Sequence, residues 1–323
     1  MKKQFFLAPM AEISHRALRE LIEDFGGCDE YFSEMISAKA FLANGPFEKW
    51  YIDAAPKPEK CIYQLVGSDS GSLSKVAALL DKLECGGIDI NMGCSAPLIR
   101  KSGAGAAWMA SIDRARELIS CVRPNVKRRL SVKLRTGFTE DFEYLANFCK
   151  ALQAEGVELI TLHPRIVTQK FKRLARWGYV EMLKNELKIP VAGNGDIANA
   201  QELVRRAGSS CDAVMVGRAA VRQPWIFAQA KAMEDTHTET QRHGERREEE
   251  SFNIEEVGLR FIELLAEHQP PEFHISRARR FFAFFCENLK WGTNLKNRIN
   301  REETLAGIEK QWQEYFLNDL NDR

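Results

Sequence analysis

Several features that would assign a protein to a class at once are missing from this 323-residue sequence. No apolar run approaches the roughly 20 residues that a membrane-spanning helix requires. Met1 is followed by charged residues and a strand-like run, and not by the apolar segment of a secretory signal. The eight cysteines show no CxxC spacing, which argues against a zinc knuckle and a disulfide framework. We therefore expect a cytoplasmic protein that binds neither a membrane nor a metal ion, and a monomer is the working prediction.

An excess of charge of one sign is also missing, because 46 basic and 45 acidic residues leave a net charge of +1. Net charge therefore does not indicate a polyanionic partner, and only the placement of charges along the chain can do so. The hydrophobic content of 45% is ordinary for a globular protein. A chain of this length buries a large core and is expected to form one large domain and a smaller one.

Eight short apolar runs, each followed by a longer amphipathic segment, are present in the first 233 residues. The runs occupy residues 5–9, 31–35, 61–66, 88–92, 130–134, 159–163, 190–192 and 213–216. Segments 72–83 and 142–155 have helical periodicity, and Gly156 follows the second in the position that ends a helix. Eight strand–helix units predict an α/β fold, the (β/α)8 TIM barrel. An open doubly wound sheet is the alternative, although no Gly-x-Gly-x-x-Gly follows the first strand.

The rest of the chain has a different character. Residues 234–253 are highly charged and almost without apolar side chains, which predicts a linker or a disordered insertion after a barrel domain at residues 1–233. From residue 254 to residue 323, apolar side chains recur at helical spacing without strand-like alternation. This pattern predicts a second, smaller domain that is all-helical, and the periodicity itself indicates core packing.

Polar residues at the ends of the predicted strands indicate a ligand site, because barrel enzymes build their sites at the carboxyl ends of the strands. Each residue alone has a structural explanation, with Gln64 as a buried amide, Lys133 as a snorkelling side chain and His163 as a core histidine. Lys133, Arg135 and His163 together are harder to explain, because buried charge is costly unless it is paired. A polar or anionic ligand in the mouth of the barrel would pair them.

Two strand ends carry small residues that expose backbone N–H groups. The stretch Gly-Asn-Gly-Asp at residues 193–196 ends the seventh strand, and Gly217-Arg218 follows the eighth. Barrels of this class frequently bind phosphate after these two strands. A phosphorylated cofactor is therefore predicted at this place.

The ordered motifs of the barrel resemble those of the tRNA-dihydrouridine synthases. The matching stretches are LAPM (7–10), SEM (33–35), YQLVGS (63–68), NMGCSAP (91–97), GAGAA (103–107), VKLRTG (132–137), HPR (163–165), NGDI (194–197), VGRAA (216–220) and PWIF (224–227). The resemblance implies a flavoprotein oxidoreductase with FMN as cofactor and NADPH as reductant. Its reaction would reduce the C5–C6 double bond of uridine in tRNA to give 5,6-dihydrouridine.

The resemblance also implies roles for residues at the strand ends. Cys94 matches the catalytic cysteine that gives a proton to C5 after hydride reaches C6, and a cysteine thiol is mostly protonated near neutral pH. Asn91 would help to hold the uracil, which must leave its stack to enter the barrel mouth. Lys133 would lie near the N1–O2 side of the flavin, and Gln64 would hydrogen-bond the edge of its ring. The residues implied to bind the cofactor are Ala8, Pro9, Met10, Gln64, Lys133, His163, Asn194, Gly195, Asp196, Gly217 and Arg218.

Basic residues cluster in two stretches that a bound RNA would neutralise. Residues 159–180 contain no acidic side chain, and residues 276–301 contain seven cations and only Glu287 as an acid. A solvated helix face is the alternative explanation of either stretch. The cations and aromatic residues of the first stretch are Arg165, Lys170, Phe171, Lys172, Arg173, Arg176, Trp177 and Tyr179. The residues expected to contact the RNA are Arg135, Arg165, Arg277 and Arg280.

The chain departs from the family pattern in loops that should meet the nucleotide. Family members usually carry proline directly after the cysteine and Gly-Arg-Thr after the histidine, where this chain has Ser95 and Pro164-Arg165-Ile166. These departures concern the choice of substrate and not the binding of flavin. The alternatives are a flavin-dependent dihydropyrimidine or dihydroorotate dehydrogenase, dihydrouridine synthesis in ribosomal RNA, and an RNA-binding protein that keeps the fold without activity.

Overall fold

Eight parallel strands form the centre of the computed structural model, which describes residues 3–169, 173–239 and 252–321. The strands are β1 (Gln4–Leu7), β2 (Glu30–Ser37), β3 (Cys61–Val66), β4 (Gly87–Met92), β5 (Arg129–Gly137), β6 (Leu159–Ile166), β7 (Val191–Asn194) and β8 (Ala213–Val216). Neighbouring strands pair in chain order, and β8 pairs with β1 to close the ring. The predicted (β/α)8 barrel is therefore confirmed, and the open doubly wound sheet is wrong.

The interior of the barrel contains both apolar and polar side chains. Because successive side chains point to opposite faces of a strand, every second residue points into the barrel. Inward-facing residues form an apolar cluster of Phe6, Ala8, Phe32, Ile62, Leu159, Ala192, Ala213 and Met215. The same alternation brings Gln64, Asp89 and Ser131 inside, where all three are fully buried. The barrel interior therefore holds a polar group of side chains beside its apolar cluster.

Helices and their caps surround the barrel. Asp69 and Asp141 cap the amino ends of α4 and α7, and Gly156 takes a φ of +95° just after α7 ends. Predicted helix 72–83 is observed at Ser70–Leu80, and predicted helix 142–155 at Phe142–Ala154. The helices are α1 (Arg16–Glu23), α2 (Ala38–Leu42), α3 (Glu48–Tyr51), α4 (Ser70–Leu80), α5 (Pro97–Lys101), α6 (Ile112–Val122), α7 (Phe142–Ala154), α8 (Gly178–Glu186), α9 (Ala200–Ala207), α10 (Arg218–Arg222) and α11 (Ile226–Glu239).

The C-terminal part of the described chain is all-helical, as predicted. Its helices are α12 (Ile254–His268), α13 (Pro271–Phe285), α14 (Gly292–Ile299) and α15 (Leu305–Asn321). Their centre is a buried aromatic cluster in which the Phe261 and Phe281 rings stack at 3.6 Å and Trp312 packs on Phe282 at 4.8 Å between centroids. The same apolar core continues into the barrel, where Phe261 contacts His15 before α1.

The predicted linker at residues 234–253 is wrong at both of its ends. Helix α11 begins at Ile226 in the barrel domain and continues to Glu239, so residues 234–239 are helical. Phe252 stacks on Trp225 at 4.5 Å and meets the edge of Phe25. The packing of the C-terminal part against the barrel domain therefore begins before the first residue of α12. Residues 240–251 lie outside the described residues. Within the described ranges, no helix combines the length and the apolar character that a membrane crossing demands.

Candidate active site

A cavity of about 250 Å³ opens at the carboxyl ends of the strands. Residues that end or follow seven of the eight strands line it, which is where a TIM barrel presents its functional side chains. The lining residues are Ala8, Pro9, Met10, Met35, Asn91, Gly93, Cys94, Lys133, Arg135, His163, Arg165, Asn194, Gly195, Asp196, Ile197, Met215, Gly217 and Arg218. All of the site residues expected from the sequence are in this set except Gln64, Arg277 and Arg280.

Four of the lining residues were missed by the sequence-based prediction of the site. Met35, Gly93, Ile197 and Met215 adjoin predicted residues or motifs, and each completes a wall of the cavity. Met215 could have been found from the two-residue period of β8, since it stands between the inward-facing Ala213 and Gly217.

Strands β5 and β6 bring the basic side chains of the cavity together. In the parallel register Arg135 lies opposite His163, and Lys133 lies opposite Thr161. Lys133 and Arg135 are two residues apart, as are His163 and Arg165, so the alternation of each strand turns both members of a pair to the cavity. The cationic character of the mouth thus follows from strand register.

Burial and mutual repulsion shift the pKa values of these groups. Burial, and then the charge of Arg135, lowers the pKa of Lys133 to about 8. Burial, and then the charge of Lys133, holds the pKa of His163 far below its usual range, so the imidazole is neutral. Arg165 Nη1 lies 2.9 Å from His163 Nε2, and a guanidinium can only donate. Nε2 therefore accepts, which leaves the ring proton on Nδ1.

The loop after β7 fixes the histidine and Arg165. Asp196 accepts hydrogen bonds from Arg165 Nη2 and from the Ala175 amide, both at 2.6 Å. Gly195 has a φ of +121°, and a Cβ there would lie 2.9 Å from His163 Cδ2, so this position requires glycine. Arg165 also donates from Nε to the Arg173 carbonyl at 2.6 Å, and its side chain is only 2% exposed. These contacts hold Arg165 and Asp196 in place, and they bury the guanidinium for which the sequence predicts an RNA contact.

The loop that carries Cys94 is held from three directions. Asn91 Oδ1 accepts from the amides of Gly93 (3.1 Å) and Cys94 (2.9 Å). Arg135 Nε donates to the Gly93 carbonyl at 3.0 Å, and the Ala106 amide donates to the Cys94 carbonyl at 3.0 Å. Cys94 itself is partly exposed to the cavity, whereas six of the other cysteines are buried. The structure therefore brings Cys94 and Lys133 to one cavity, with Asn91 engaged in shaping the loop.

Gln64 does not line the cavity, in contrast to its predicted contact with the flavin ring. Its side chain is fully buried one layer below, where Nε2 donates to Asp89 Oδ2 and Oε1 accepts from Asn91 Nδ2, both at 2.7 Å. Asp89 also accepts from Ser131 Oγ at 2.6 Å. Burial raises the pKa of Asp89 to about 6, against the opposing effect of these two donors. Asp89 was not predicted, although an acid inside the apolar run IDINM was a signal for it.

The two predicted RNA contacts of the helical region have different positions. Arg277 is 1% exposed, and its Nη2 lies 2.9 Å from Oε2 of Glu34, which is 3% exposed. The guanidinium also stacks on Phe273, 4.5 Å from the ring centroid. Helix packing against β2 therefore uses the charge of Arg277 inside the protein, and this burial does not favour the predicted RNA contact. Arg280 lies on the surface, where it pairs with Glu12 at 2.8 Å.

Comparison with known proteins identifies the family. The family model described as dihydrouridine synthase (Dus) matches residues 6–321. The chain belongs to the dihydrouridine synthase family. A probable tRNA-dihydrouridine synthase of Aquifex aeolicus is 33% identical, over 72% of this chain and 74% of the relative. The tRNA-dihydrouridine synthase B of Pasteurella multocida is 30% identical, over 70% of this chain and 68% of the relative.

The family match extends beyond the barrel of this dihydrouridine synthase. A probable tRNA-dihydrouridine synthase of Rickettsia bellii is 24% identical, over 99% of this chain and 97% of the relative. The helices after residue 254 are thus part of the shared architecture, and the resemblance inferred from the ordered motifs is confirmed. Within the described residues, no three His, Cys, Asp or Glu side chains lie together as a metal site would require.

Proposed function

We propose that this dihydrouridine synthase reduces uridine in tRNA to 5,6-dihydrouridine with FMN as cofactor and NADPH as reductant. The observation that carries the proposal is the meeting of Cys94, Lys133 and a neutral His163 in one cavity. The printed names of the relatives from Aquifex aeolicus and Pasteurella multocida, both tRNA-dihydrouridine synthases, support the choice of reaction and substrate.

The residues of the cavity fit a flavin phosphate. Ala8, Pro9, Met10 and Met215 provide an apolar wall for a flat ring. Within the described residues no group accepts a hydrogen bond from Lys133, so its partly buried ammonium is available to an anionic or carbonyl oxygen of a ligand.

The phosphate end of the cofactor would be held at the last two strands. Asn194 follows the inward alternation of β7, and Arg218 begins α10 directly after β8. A guanidinium and turned-out backbone amides at this place suit a phosphate group.

The chain's own residues supply the proton and the charge that the reaction needs. When bound, reduced flavin supplies the hydride that adds to C6 of the uracil. Cys94 gives the thiol proton to C5 as the C5–C6 double bond is lost, which leaves a thiolate. Lys133, which is attracted to a negative Cys94, stabilises that thiolate until water reprotonates it. Because His163 is neutral, it adds no positive charge to that of Lys133 in the cavity.

Two clefts extend from the cavity over the surface and suit an RNA strand. The first, the Leu174 cleft, shares Asp196, Ile197 and Arg218 with the cavity and adds Leu174, Arg222, Phe284 and Glu287. The second, the Trp291 cleft, shares Glu287 with the first and contains Lys290, Trp291, Thr293, Asn294, Lys296 and Asn297. Leu174 is 82% exposed and Trp291 is 64% exposed. Exposed apolar side chains beside cations are typical of surfaces on which RNA bases stack.

The decisive experiment compares Cys94→Ala with Cys121→Ala, which replaces an exposed cysteine on α6 outside the cavity. Cys94→Ala should bind FMN and consume NADPH normally, yet dihydrouridine formation should fall by about 100-fold or more because the general acid is lost. Dihydrouridine is measured by mass spectrometry of digested tRNA and ribosomal RNA.

Each other outcome corrects a defined part of the proposal. If Cys94→Ala forms as much dihydrouridine as the parent protein, Cys94 is not the general acid. Product in ribosomal RNA alone contradicts the tRNA assignment. A protein that cannot be reconstituted with FMN contradicts the cofactor.

A further inference from the structure

A chain of buried hydrogen bonds runs beneath the cavity from β5 to the Cys94 loop. Ser131 Oγ donates to Asp89 Oδ1 (2.6 Å), and Gln64 Nε2 donates to Asp89 Oδ2 (2.7 Å). Asn91 Nδ2 donates to Gln64 Oε1 (2.7 Å), and the Cys94 amide donates to Asn91 Oδ1 (2.9 Å). Ser131, Asp89 and Gln64 are fully buried, and Asn91 is 7% exposed. Four side chains from three strands thus connect the barrel interior to the backbone of Cys94.

The donor and acceptor groups at the two ends of this hydrogen-bond chain determine its direction. An ionised carboxylate can only accept, so Gln64 must turn its NH2 group to Asp89 and its oxygen to Asn91. Backbone amides can only donate, so Asn91 must turn its oxygen to Gly93 and Cys94. Both requirements are met by one arrangement of the two amides. Asn91 is therefore held in the orientation that binds the Cys94 loop, and Asp89 is the group that selects this orientation.

Breaking a buried hydrogen-bond chain destabilises the fold, because a buried amide or carboxylate without a partner bears the full cost of its desolvation. We propose that Asp89 is a positioning residue that sets the location of the Cys94 thiol through Gln64 and Asn91. The catalytic part of this inference rests on the proposed function, since it takes Cys94 as the proton donor. The positional part concerns the loop alone and is measured without the reaction.

The structure suggests a pair of substitutions that break the chain and then restore it. In Asn91→Asp, carboxylates lie on both sides of Gln64, whose amide has one NH2 group and can satisfy only one of them. In the double variant Asp89→Asn/Asn91→Asp, the Gln64 amide can reverse. It then donates to residue 91 and accepts from the new amide at residue 89, which in turn accepts from Ser131. Net charge is the same in the double variant as in the parent.

Reactivity of Cys94 reports the position of the loop directly. Cys121 is exposed, Cys94 is partly exposed, the other six cysteines are buried, and all eight lie in the described residues. A Cys121→Ser background therefore leaves Cys94 as the accessible thiol for iodoacetamide, in protein with or without FMN. Labelling is located by peptide mass spectrometry, and dihydrouridine formation and NADPH consumption are measured in parallel.

In Asn91→Asp the alkylation rate of Cys94 should change by about threefold or more, and dihydrouridine formation should fall by about tenfold or more, because small displacements of a reacting group are costly. The double variant should return both quantities to within about twofold of the background protein, since it restores the hydrogen bonds. Asp89→Asn alone should differ from the background less than Asn91→Asp does.

Two results would overturn the inference. One is a double variant whose alkylation rate is no closer to the background than that of Asn91→Asp. The other is an Asn91→Asp protein that is indistinguishable from the background. If Asn91→Asp does not fold, the double variant carries the test, and it must fold and show the background alkylation rate. If Cys94→Ala keeps its product, the catalytic role of Cys94 fails while the alkylation result still decides the positional inference.

Discussion

The barrel mouth and the helical region both contain many basic residues, and they use them in opposite ways. At the mouth, Lys133 and Arg135 line one cavity, and burial, followed by the charge of Arg135, lowers the pKa of Lys133. In the helical region, the charge of Arg277 is neutralised by Glu34, and Arg298 pairs with Glu314 at 3.0 Å. Cations left uncompensated in a buried place are costly, so they indicate a ligand, whereas paired cations indicate internal structure.

The difference comes from the geometry of the elements. Parallel strands of a closed barrel end at the same rim, so polar residues that are far apart in sequence converge there. Helices present side chains in all directions, and the direction of each depends on packing with its neighbours. A run of cations in a helical segment is therefore distributed between buried pairs and solvent.

The largest expected effect is that of Arg277→Met on stability. The substitution leaves the Glu34 carboxylate buried without its partner, and loss of one member of a buried pair costs about 3–5 kcal/mol. Burial already raises the pKa of Glu34, so the folded state binds a proton more readily than the unfolded chain does. The loss should therefore be greater at pH 8 than at pH 5.

Denaturant unfolding at both pH values measures this loss, with Arg280→Met as the matched control. The Arg280–Glu12 pair is exposed, so its removal should cost less than about 1 kcal/mol. Unchanged stability together with weakened RNA binding in Arg277→Met would contradict the buried role.

The next effect is that of Lys133→Met on the pH dependence of stability. The pKa of Lys133 is about 8 in the folded protein, against 10.5 for a free lysine. Between these values the unfolded chain binds more protons, so the free energy of unfolding of the parent protein rises with pH, by at most about 3 kcal/mol from this group. Lys133→Met should lack this rise and should be more stable than the parent at pH 7. Thermal unfolding at pH 7 and pH 10 measures the difference. If the stabilities of the two proteins change with pH in the same way, the prediction is contradicted.

The smallest effect is expected at the surface of the helical region. Within the described residues neither Lys290 nor Lys296 has an ion pair, and Trp291 lies between them in the Trp291 cleft. Trp291→Ala should weaken tRNA binding by about 1–3 kcal/mol, the range for loss of one stacked base, and should leave stability nearly unchanged. Filter binding at fixed ionic strength measures the affinity. Leu317→Ala, on the exposed side of α15, is the control, and equal affinities of the two variants would exclude a stacking role.

Much of the barrel could be predicted because its signals are local. Eight apolar runs separated by amphipathic segments correspond to eight observed strands. The first run, residues 5–9, extends beyond its strand, which ends at Leu7. Pro9 has no backbone N–H and so cannot donate a hydrogen bond to a neighbouring strand. The convergence of Cys94, Lys133 and His163 was also predictable, since it requires only that strands end at one rim.

The two positions that differ from the sequence-based expectation share a physical cause. Gln64 was expected at the flavin, but it lies deeper in the barrel than the cavity lining, where it bonds Asp89 and Asn91. Arg277 was expected at the surface, but α13 turns it toward β2, where Glu34 lies buried. Depth and direction depend on packing between distant segments, and no local pattern contains that information.

The sequence by itself determined the kind of molecule: the order of strands and helices, the residues at the strand ends, and the family that those motifs share. These properties follow from periodicity and from residue types at short range. Only the tertiary structure decided which polar groups meet the cavity and which hold other residues in place. Asp89, Gln64, Asn91 and Arg277 received their roles from partners far away in the chain, because a buried polar group is stable only where the fold supplies its partner.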